Sequence, residues 1–237
     1  MSKKTPFGSI QFREYFRNIY IKDDAGVRFL GIRSGRLYIA LIALILISIP
    51  ILLYLRIDNF SLRHVFLIPL YFVISNFIEY MVHRYPMHKK MPGAAFMYEH
   101  VTIHHNFYTN EYYYFEKWED MMAVFLPILY FMFISVIIVA LSALIAYFSN
   151  GNEGLIFMFV AYSYYLMYEM LHFSYHTKND SLIKKIPYMK KLARFHLEHH
   201  NPKVMNKYNF NISFPFFDVL FKTLHTADKK DKPETES

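Results

Sequence analysis

Ten of the twelve histidines in the 237-residue chain fall into four short clusters. His83 and His88 stand in HRYPMH, and His100, His104 and His105 in HVTIHH. His172 and His176 stand in HFSYH, and His196, His199 and His200 in HLEHH. A neutral imidazole nitrogen is a ligand for iron, zinc, copper or nickel, so histidine repeated at short spacing is first of all a metal-binding pattern. An octahedral ion offers about six positions, so ten imidazoles exceed what one ion can use. They suit two ions with about two positions left over for oxygen or a bridging water. The economical reading is a dinuclear centre built from two half-sites.

Spacing says how the rings can meet. Residues three or four apart share a face of an α-helix, so His172 and His176 point the same way, as do His196, His199 and His200 within roughly 100° of arc. His100 and His104 repeat the i, i+4 relation, with His105 turned about 100° from His104. His83 and His88 are five apart and not co-facial on a regular helix. Pro86 between them is expected to break the helix, and a turn there would bring both rings inward.

The elements that must position these clusters are apolar. Hydrophobic residues make up 54% of the chain and aromatic residues 19%. Residues 37–55 and 121–148 contain no charge, 65–82 has only Asn76 and Glu79 as strongly polar members, and 155–176 carries Glu169 with its two histidines. Each run is long enough to cross, or nearly cross, a hydrocarbon core of about 30 Å. The expected fold is an all-α integral membrane protein: four transmembrane helices in two hairpins, topped by a cytoplasmic, histidine-rich helical cap. A site at that rim suits chemistry on a substrate dissolved in the membrane.

The net charge of +7 follows membrane topology and gives no reason to invoke nucleic acid. Residues 1–36 hold eight Lys and Arg against three acids, whereas the 149–154 loop has no basic residue. The positive-inside rule therefore places the N-terminus, the histidine segments and the C-terminal tail in the cytoplasm. No cleavable signal is expected, and the first span serves as its own insertion signal. Within the basic arm, residues 7–20 alternate apolar and basic positions, which suits either a helix lying in the headgroup layer or a solvated arm. Residues 37–225 form the membrane domain, and the charged 226–237 tail is expected to be disordered. With no cysteine in the chain, disulfides, thiolate-ligated iron–sulfur clusters and cysteine nucleophiles are excluded within it.

Single residues near the clusters have roles to weigh. Glu79 lies four before His83 and Glu169 three before His172, so each is placed to accept a hydrogen bond from a ligand ring. Intramembrane carboxylates are costly, which favours that role. Asp120 and Asp218 flank apolar runs and read first as helix caps or solvent-paired acids, with support of the metal centre as the other reading. Asn106, Asn209 and Asn211 suit turns or a bond to metal-bound water. His64 and His225 stand outside the clusters and are expected at interfaces.

Taken in order over four predicted spans, HxxxxH, HxxxHH, HxxxH and HxxHH resemble the fatty acid hydroxylase and sterol desaturase superfamily. NFNISFPFFDVLFKT at 209–223 is similar to the segment that follows the last cluster in many members, so the resemblance covers residues 65–223. One departure is HxxxHH at His100, where many relatives have HxxHH. The resemblance implies a membrane-bound, dimetal, oxygen-dependent enzyme that hydroxylates or desaturates lipid, with all ten clustered histidines as ligands. It implies two iron ions, or zinc in isolated protein, with O2 as co-substrate. The chain has no flavin or haem motif, so electrons are expected from a separate carrier protein docking on the basic surface. A fatty acyl chain or related lipid is the expected substrate, with sterol or carotenoid oxidation or desaturation as the alternative. A membrane metal-binding or transport protein is the reading from another class. It fits less well, because its ligands should sit within the spans or in low-complexity tracts.

Overall fold

The computed structural model describes residues 9–20, 32, 34–89, 95–125, 127–178 and 185–226. The tail expected to be disordered lies outside the described residues from 227 onward. In chain order the helices are α1 (Ile10–Tyr15), α2 (Gly35–Tyr54) and α3 (Leu62–Val82), then α4, assembled from Ala95–Met97, a π-helical Tyr98–His104 and His105–Phe107. After these come α5 (Ile128–Phe148), α6 (Gly151–Tyr175), α7 (Pro187–His199) and α8 (Phe216–Leu220). No strand occurs among the described residues.

Four of these helices, α2, α3, α5 and α6, are long and apolar enough to cross a membrane. α5 and α6 pack as a hairpin, and α6 packs against α2 and α3 as well. Its central place shows in burial: 61% of α6 is buried, against 11–22% for the others. The remaining helices turn Leu44, Ile51, Phe66, Val136 and Leu144 outward, a surface that only hydrocarbon would solvate. Between apolar helices in lipid, close backbone approach replaces the hydrophobic drive. Gly154 supplies it, since a Cβ there would stand 2.8 Å from the Ser142 carbonyl oxygen, and the Ser142 hydroxyl donates to the Gly154 carbonyl at 2.8 Å.

Local chemistry sets the helix starts. The Ser34 hydroxyl caps α2, the Asn150 side chain caps α6, and Pro187 opens α7, where its missing N–H costs nothing. At α3 the His64 Nδ1 accepts the Ser61 N–H at 2.9 Å, at the end of the bundle remote from the clusters. The third span differs from its sequence expectation. Residues 121–148 read as one charge-free run, but α5 begins only at Ile128, with Pro127 as its N-cap. Proline has no N–H to donate and disfavours helix in the residue before it. Upstream lies instead a 3-10 turn, Trp118–Ala123, whose Asp120, Met121, Met122 and Ala123 are buried at the histidine end.

In the part described, the N-terminal arm packs against the protein and is not simply solvated. Phe12 and Phe16 are buried in the core, and Phe16 meets Phe107 edge-on at 5.0 Å. Arg13, only 3% exposed, lays its guanidinium over Phe107 at 4.7 Å. Residues in this segment thus pack against the loop that covers the histidines.

Candidate metal centre

Winding decides which histidines meet. Beyond Val82, α3 continues without a break as a π-helix, His83–Met87, and α4 contains a second one, Tyr98–His104. A π-helix closes i→i+5 hydrogen bonds, so residues five apart stand on one face. His83 and His88 therefore pair, with Nε2 atoms 3.2 Å apart, and His100 and His105 pair in the same way at 3.2 Å. The helix break expected at Pro86 does not occur, because a wider turn accommodates the ring that an α-helix would reject. The i, i+4 partnership expected of His100 and His104 also gives way. Their rings stack at 5.1 Å but belong to different groups.

Two groups of five buried histidines result. His83, His88, His100, His105 and His199 form the first, and His104, His172, His176, His196 and His200 the second. Within each, one ligand nitrogen per residue lies within 4.8 Å of all the others. HFSYH keeps its i, i+4 pair together, whereas HVTIHH and HLEHH are each divided between the groups. His199 looks one way from α7, while His196 and His200 look the other with their Nε2 atoms 3.0 Å apart. The groups adjoin where His105 meets His200 at 4.4 Å between ring centroids. His100, the position that departs from the family pattern, stands 2.8 Å from His83 through Nε2. His64 and His225 are in neither group.

Proton positions follow from the partners of Nδ1. His104 faces the Ala123 carbonyl at 2.7 Å, His176 that of Tyr113 at 2.9 Å and His199 that of Tyr208 at 2.8 Å. His83 bonds the Phe210 carbonyl and His200 that of Tyr108. A carbonyl only accepts, so each of these rings carries its proton on Nδ1 and presents a bare Nε2 lone pair. His88 adds a contact to Asn206 Oδ1 at 3.2 Å. Lone pairs about 3 Å apart repel, and a shared cation is the partner that resolves them. Burial keeps the rings neutral as ligation requires: it lowers the His104 pKa to about 3 and that of His199 to about 4. His88, His100, His105, His196 and His200 are pushed down in the same direction by desolvation and by neighbouring imidazoles.

Two loops supply those carbonyls, and buried carboxylates shape both. Around 206–213, Asp218 accepts the N–H of Phe210 at 3.0 Å and of Asn211 at 2.7 Å, together with the Thr223 hydroxyl at 2.7 Å. Glu79 accepts the Ser213 N–H at 3.1 Å and the Ser213 hydroxyl at 2.5 Å, and it also takes the Ile212 N–H and the Tyr164 hydroxyl. Its oxygens are thus filled by donors from the loop, from Tyr164 on α6 and from Asn76 on α3, and take no bond from His83. Across 107–123, Asp120 accepts the N–H of Glu116 at 2.8 Å and of Lys117 at 3.0 Å, and it is gripped by Arg17 at 2.6 and 2.7 Å.

Asp120 and Asp218 are both 0% exposed, which overturns solvent pairing, while the capping reading holds for Asp120, which accepts the N–H of Lys117 at the start of its own 3-10 turn at 3.0 Å. Burial pushes the Asp120 pKa up, but the Arg17 bonds and the two N–H groups outweigh it and hold the carboxyl below its ordinary value. Asp218 has neutral bonding partners, and burial carries it above its ordinary value. Glu169 bonds the Tyr165 hydroxyl, not His172, and leaves Oε2 buried without a partner. Asn106 donates back to the Thr102 carbonyl at 2.7 Å, within its own helix. Asn209, at φ 59°, ties the Phe195 and His225 carbonyls together, and Asn211 bonds the Asn76 carbonyl at 3.1 Å. The carbonyl anchors had no residue-type signature in the sequence. The histidine spacing of five, occurring twice, was the legible sign of the π-helices.

An apolar cleft opens among α3, α5 and α6, with Val82, Ile134, Ile138, Ala161 and Tyr168 on its walls and His83 at its end. Tyr168 also borders a narrow gap beside His100, His104 and His172.

A family model described as fatty acid hydroxylase matches residues 68–223. Among solved structures, the chain is similar to one titled full-length Scs7p with only the hydroxylase domain visible. That match has a TM-score of 0.56 at 16% identity and covers 94% of this chain and 81% of the other, a likeness of fold. No curated protein matches this chain.

Proposed function

Because the chain belongs to the fatty acid hydroxylase family, we propose that it is an O2-dependent membrane lipid hydroxylase whose two histidine groups each hold one metal ion, iron in the working enzyme. The observation that carries this reading is the convergence of ten buried imidazole rings in two groups of five, five of them with Nε2 bared by an Nδ1 bond to a backbone carbonyl. Five nitrogens leave about one position open on an octahedral ion, which suits O2 chemistry better than a closed structural site. When bound, the two ions supply the redox chemistry that inserts oxygen into an unactivated C–H bond.

The overall change, R–H + O2 + 2 e− + 2 H+ → R–OH + H2O, sets the tasks of the chain. The Nδ1 bonds to backbone carbonyls fix ring orientation and raise the basicity of Nε2. The apolar cleft keeps water away and admits a hydrocarbon segment from the membrane side. From Ser75 to Val82 its α3 wall rises about 10 Å, enough for a run of methylenes, which supports an acyl chain or related lipid as substrate. Tyr168, shared by the cleft and the gap beside the second group, is placed to hold the C–H end against both groups.

Electrons come from a separate carrier protein. α7 supports this, since Lys190, Lys191 and Arg194 are exposed on its outer face while His196 and His199 are buried on its inner face. An acidic partner docking there approaches the ligands across one helix. Histidine clusters and both termini lie on the cytoplasmic side in this reading, as the basic arm and the charge-poor 149–154 loop indicate. Reporters after Asn150 and at the C-terminus should then report opposite sides.

Lipid profiling of cells with and without the gene tests the activity. A new hydroxylated lipid that disappears in the His176→Ala variant is expected. Protein loaded with about two ions per chain that forms no oxidised lipid with a competent electron donor would sink the proposal.

A further inference from the structure

α1 lies outside the 68–223 stretch that the family model matches, yet residues from this N-terminal segment reach one half of the metal centre. Arg17 binds both oxygens of Asp120, through Nε at 2.6 Å and Nη2 at 2.7 Å. Arg13 joins the same carboxylate at 3.5 Å and donates to the Tyr114 carbonyl at 2.9 Å. The backbone carbonyl of Asp120 in turn accepts the Tyr108 hydroxyl at 2.7 Å. Every contact falls on the 107–123 loop.

That loop anchors three of the five rings of the second group. Tyr108 takes His200, Tyr113 takes His176 and Ala123 takes His104. The Tyr108 ring also lies against His176 at 4.1 Å, and the Phe115 N–H donates to the His176 carbonyl at 3.0 Å. Rings of the first group are anchored elsewhere, His88 by Asn206, His199 by Tyr208 and His83 by Phe210. Neither arginine contacts that second loop.

We infer that Arg13 and Arg17 are positioning residues for the second histidine group alone, so that the N-terminal segment sets the occupancy of one metal position and leaves the other untouched. This rests on the two-metal reading above and goes beyond it. The physical cause is charge. Without its guanidinium partners a buried Asp120 must be hydrated or protonated, and either change moves the backbone that Glu116 and Lys117 offer to it. Three carbonyls then shift relative to three rings whose Nε2 atoms must converge within tenths of an ångström. Displaced outer partners of this kind weaken metal binding by about 10–100-fold.

Cobalt(II) serves as the probe, because its optical bands report each site separately. Full-length protein carrying Arg13→Gln/Arg17→Gln should bind the first equivalent of cobalt with unchanged affinity and the second 10–100-fold more weakly. At one equivalent its spectrum should match that of His176→Ala and differ from that of His83→Ala. Arg17→Lys, which keeps the charge but loses the two-pronged grip, should fall between wild type and the double variant. The intact first site is an internal control for folding. Asn206→Ala is the mirror case and should weaken only the first site. Two sites retained at full affinity in the double variant, or both weakened together, overturn the inference. Wild-type protein that binds fewer than two cobalt ions overturns the two-metal reading itself.

Discussion

The two half-sites solve the same problem with opposite electrostatics. Each anchors imidazole Nδ1 atoms on backbone carbonyls of one loop, and each loop is shaped by a buried aspartate. Around the first group, Asp218 takes its hydrogen bonds from neutral N–H and O–H donors, and burial outweighs these and the Arg84 charge to hold it above its ordinary pKa. Around the second, Asp120 faces Arg17 and lies below it. Neutral donors to Asp218 come from nearby chain, Phe210, Asn211 and Thr223, and Glu79 of α3 takes the Ile212 and Ser213 N–H groups of the same segment. The ion pair spans 103 residues of sequence and depends on a segment outside the family-matched 68–223 stretch. One half-site is built within the 68–223 stretch, its loop held also by Glu79 of α3, and the other is conditional on the N-terminal segment.

The largest test of this contrast removes ligands. His176→Ala or His199→Ala should each abolish lipid oxidation, although the first empties the second group and the second empties the first. Measured product should fall below detection in both, with the chain still inserted because the apolar helices are unchanged. If either variant retains wild-type turnover, the two groups do not act as one centre.

Next in size is the exchange of carboxylates. Asp120→Asn removes the buried carboxylate and leaves Arg17 with only the exposed Glu116 as a charge partner, so a 10–100-fold loss of metal at the second group is expected from equilibrium binding. Asp218→Asn removes an acceptor from neutral donors, and Glu79→Gln does the same at Ser213 and Ile212. Each should cost about 1–3 kcal/mol in stability and lower turnover without abolishing it. A larger metal loss from Asp218→Asn than from Asp120→Asn would reverse the comparison.

Acid should act on both groups through their rings. His199 and His104 have folded pKa values lowered to about 4 and about 3, below the ordinary value of 6.5. Between 6.5 and those values the unfolded chain binds protons that the folded chain does not. Stability without metal, and metal affinity with it, should therefore fall as pH drops through this window. Asp120, with its pKa depressed, keeps its contribution until pH falls below the ordinary carboxylate range. Metal release monitored from pH 7 to about pH 4 checks the sign, and affinity that rises on acidification would contradict it. The smallest effect belongs to His64→Ala at the remote end. It removes a helix-start bond worth about 0.5–2 kcal/mol and leaves metal content and turnover unchanged.

Much of this protein is legible in its sequence because the signals are local. Apolar runs of span length dictate helices that must satisfy their own backbone in hydrocarbon, and all four appear. Histidine type and number point to a metal centre with more ligands than one ion can take, and the fold brings all ten clustered histidines into two groups. The i, i+4 pairs His172 with His176 and His196 with His200 stay together because their segments are ordinary α-helices.

Tertiary structure alone decided the rest. Whether His100 pairs with His104 or His105 depends on the pitch of the helix, and a π-turn changes that pitch without any change of residue type. The carbonyls of Tyr108, Tyr113, Ala123, Tyr208 and Phe210 became anchors because their loops were folded over the rings, and a backbone oxygen carries no mark of identity in a sequence. Asp120 does cap its own 3-10 turn through the Lys117 N–H, but its Arg17 partner, like the Phe210 and Asn211 N–H groups that Asp218 accepts, lies outside its own helix. Glu79 reaches Ile212 and Ser213 across 133 and 134 residues, and Arg17 reaches Asp120 across 103. Contacts at such separation are set by how helices pack, and that packing is what turns ten similar histidines into two unlike half-sites.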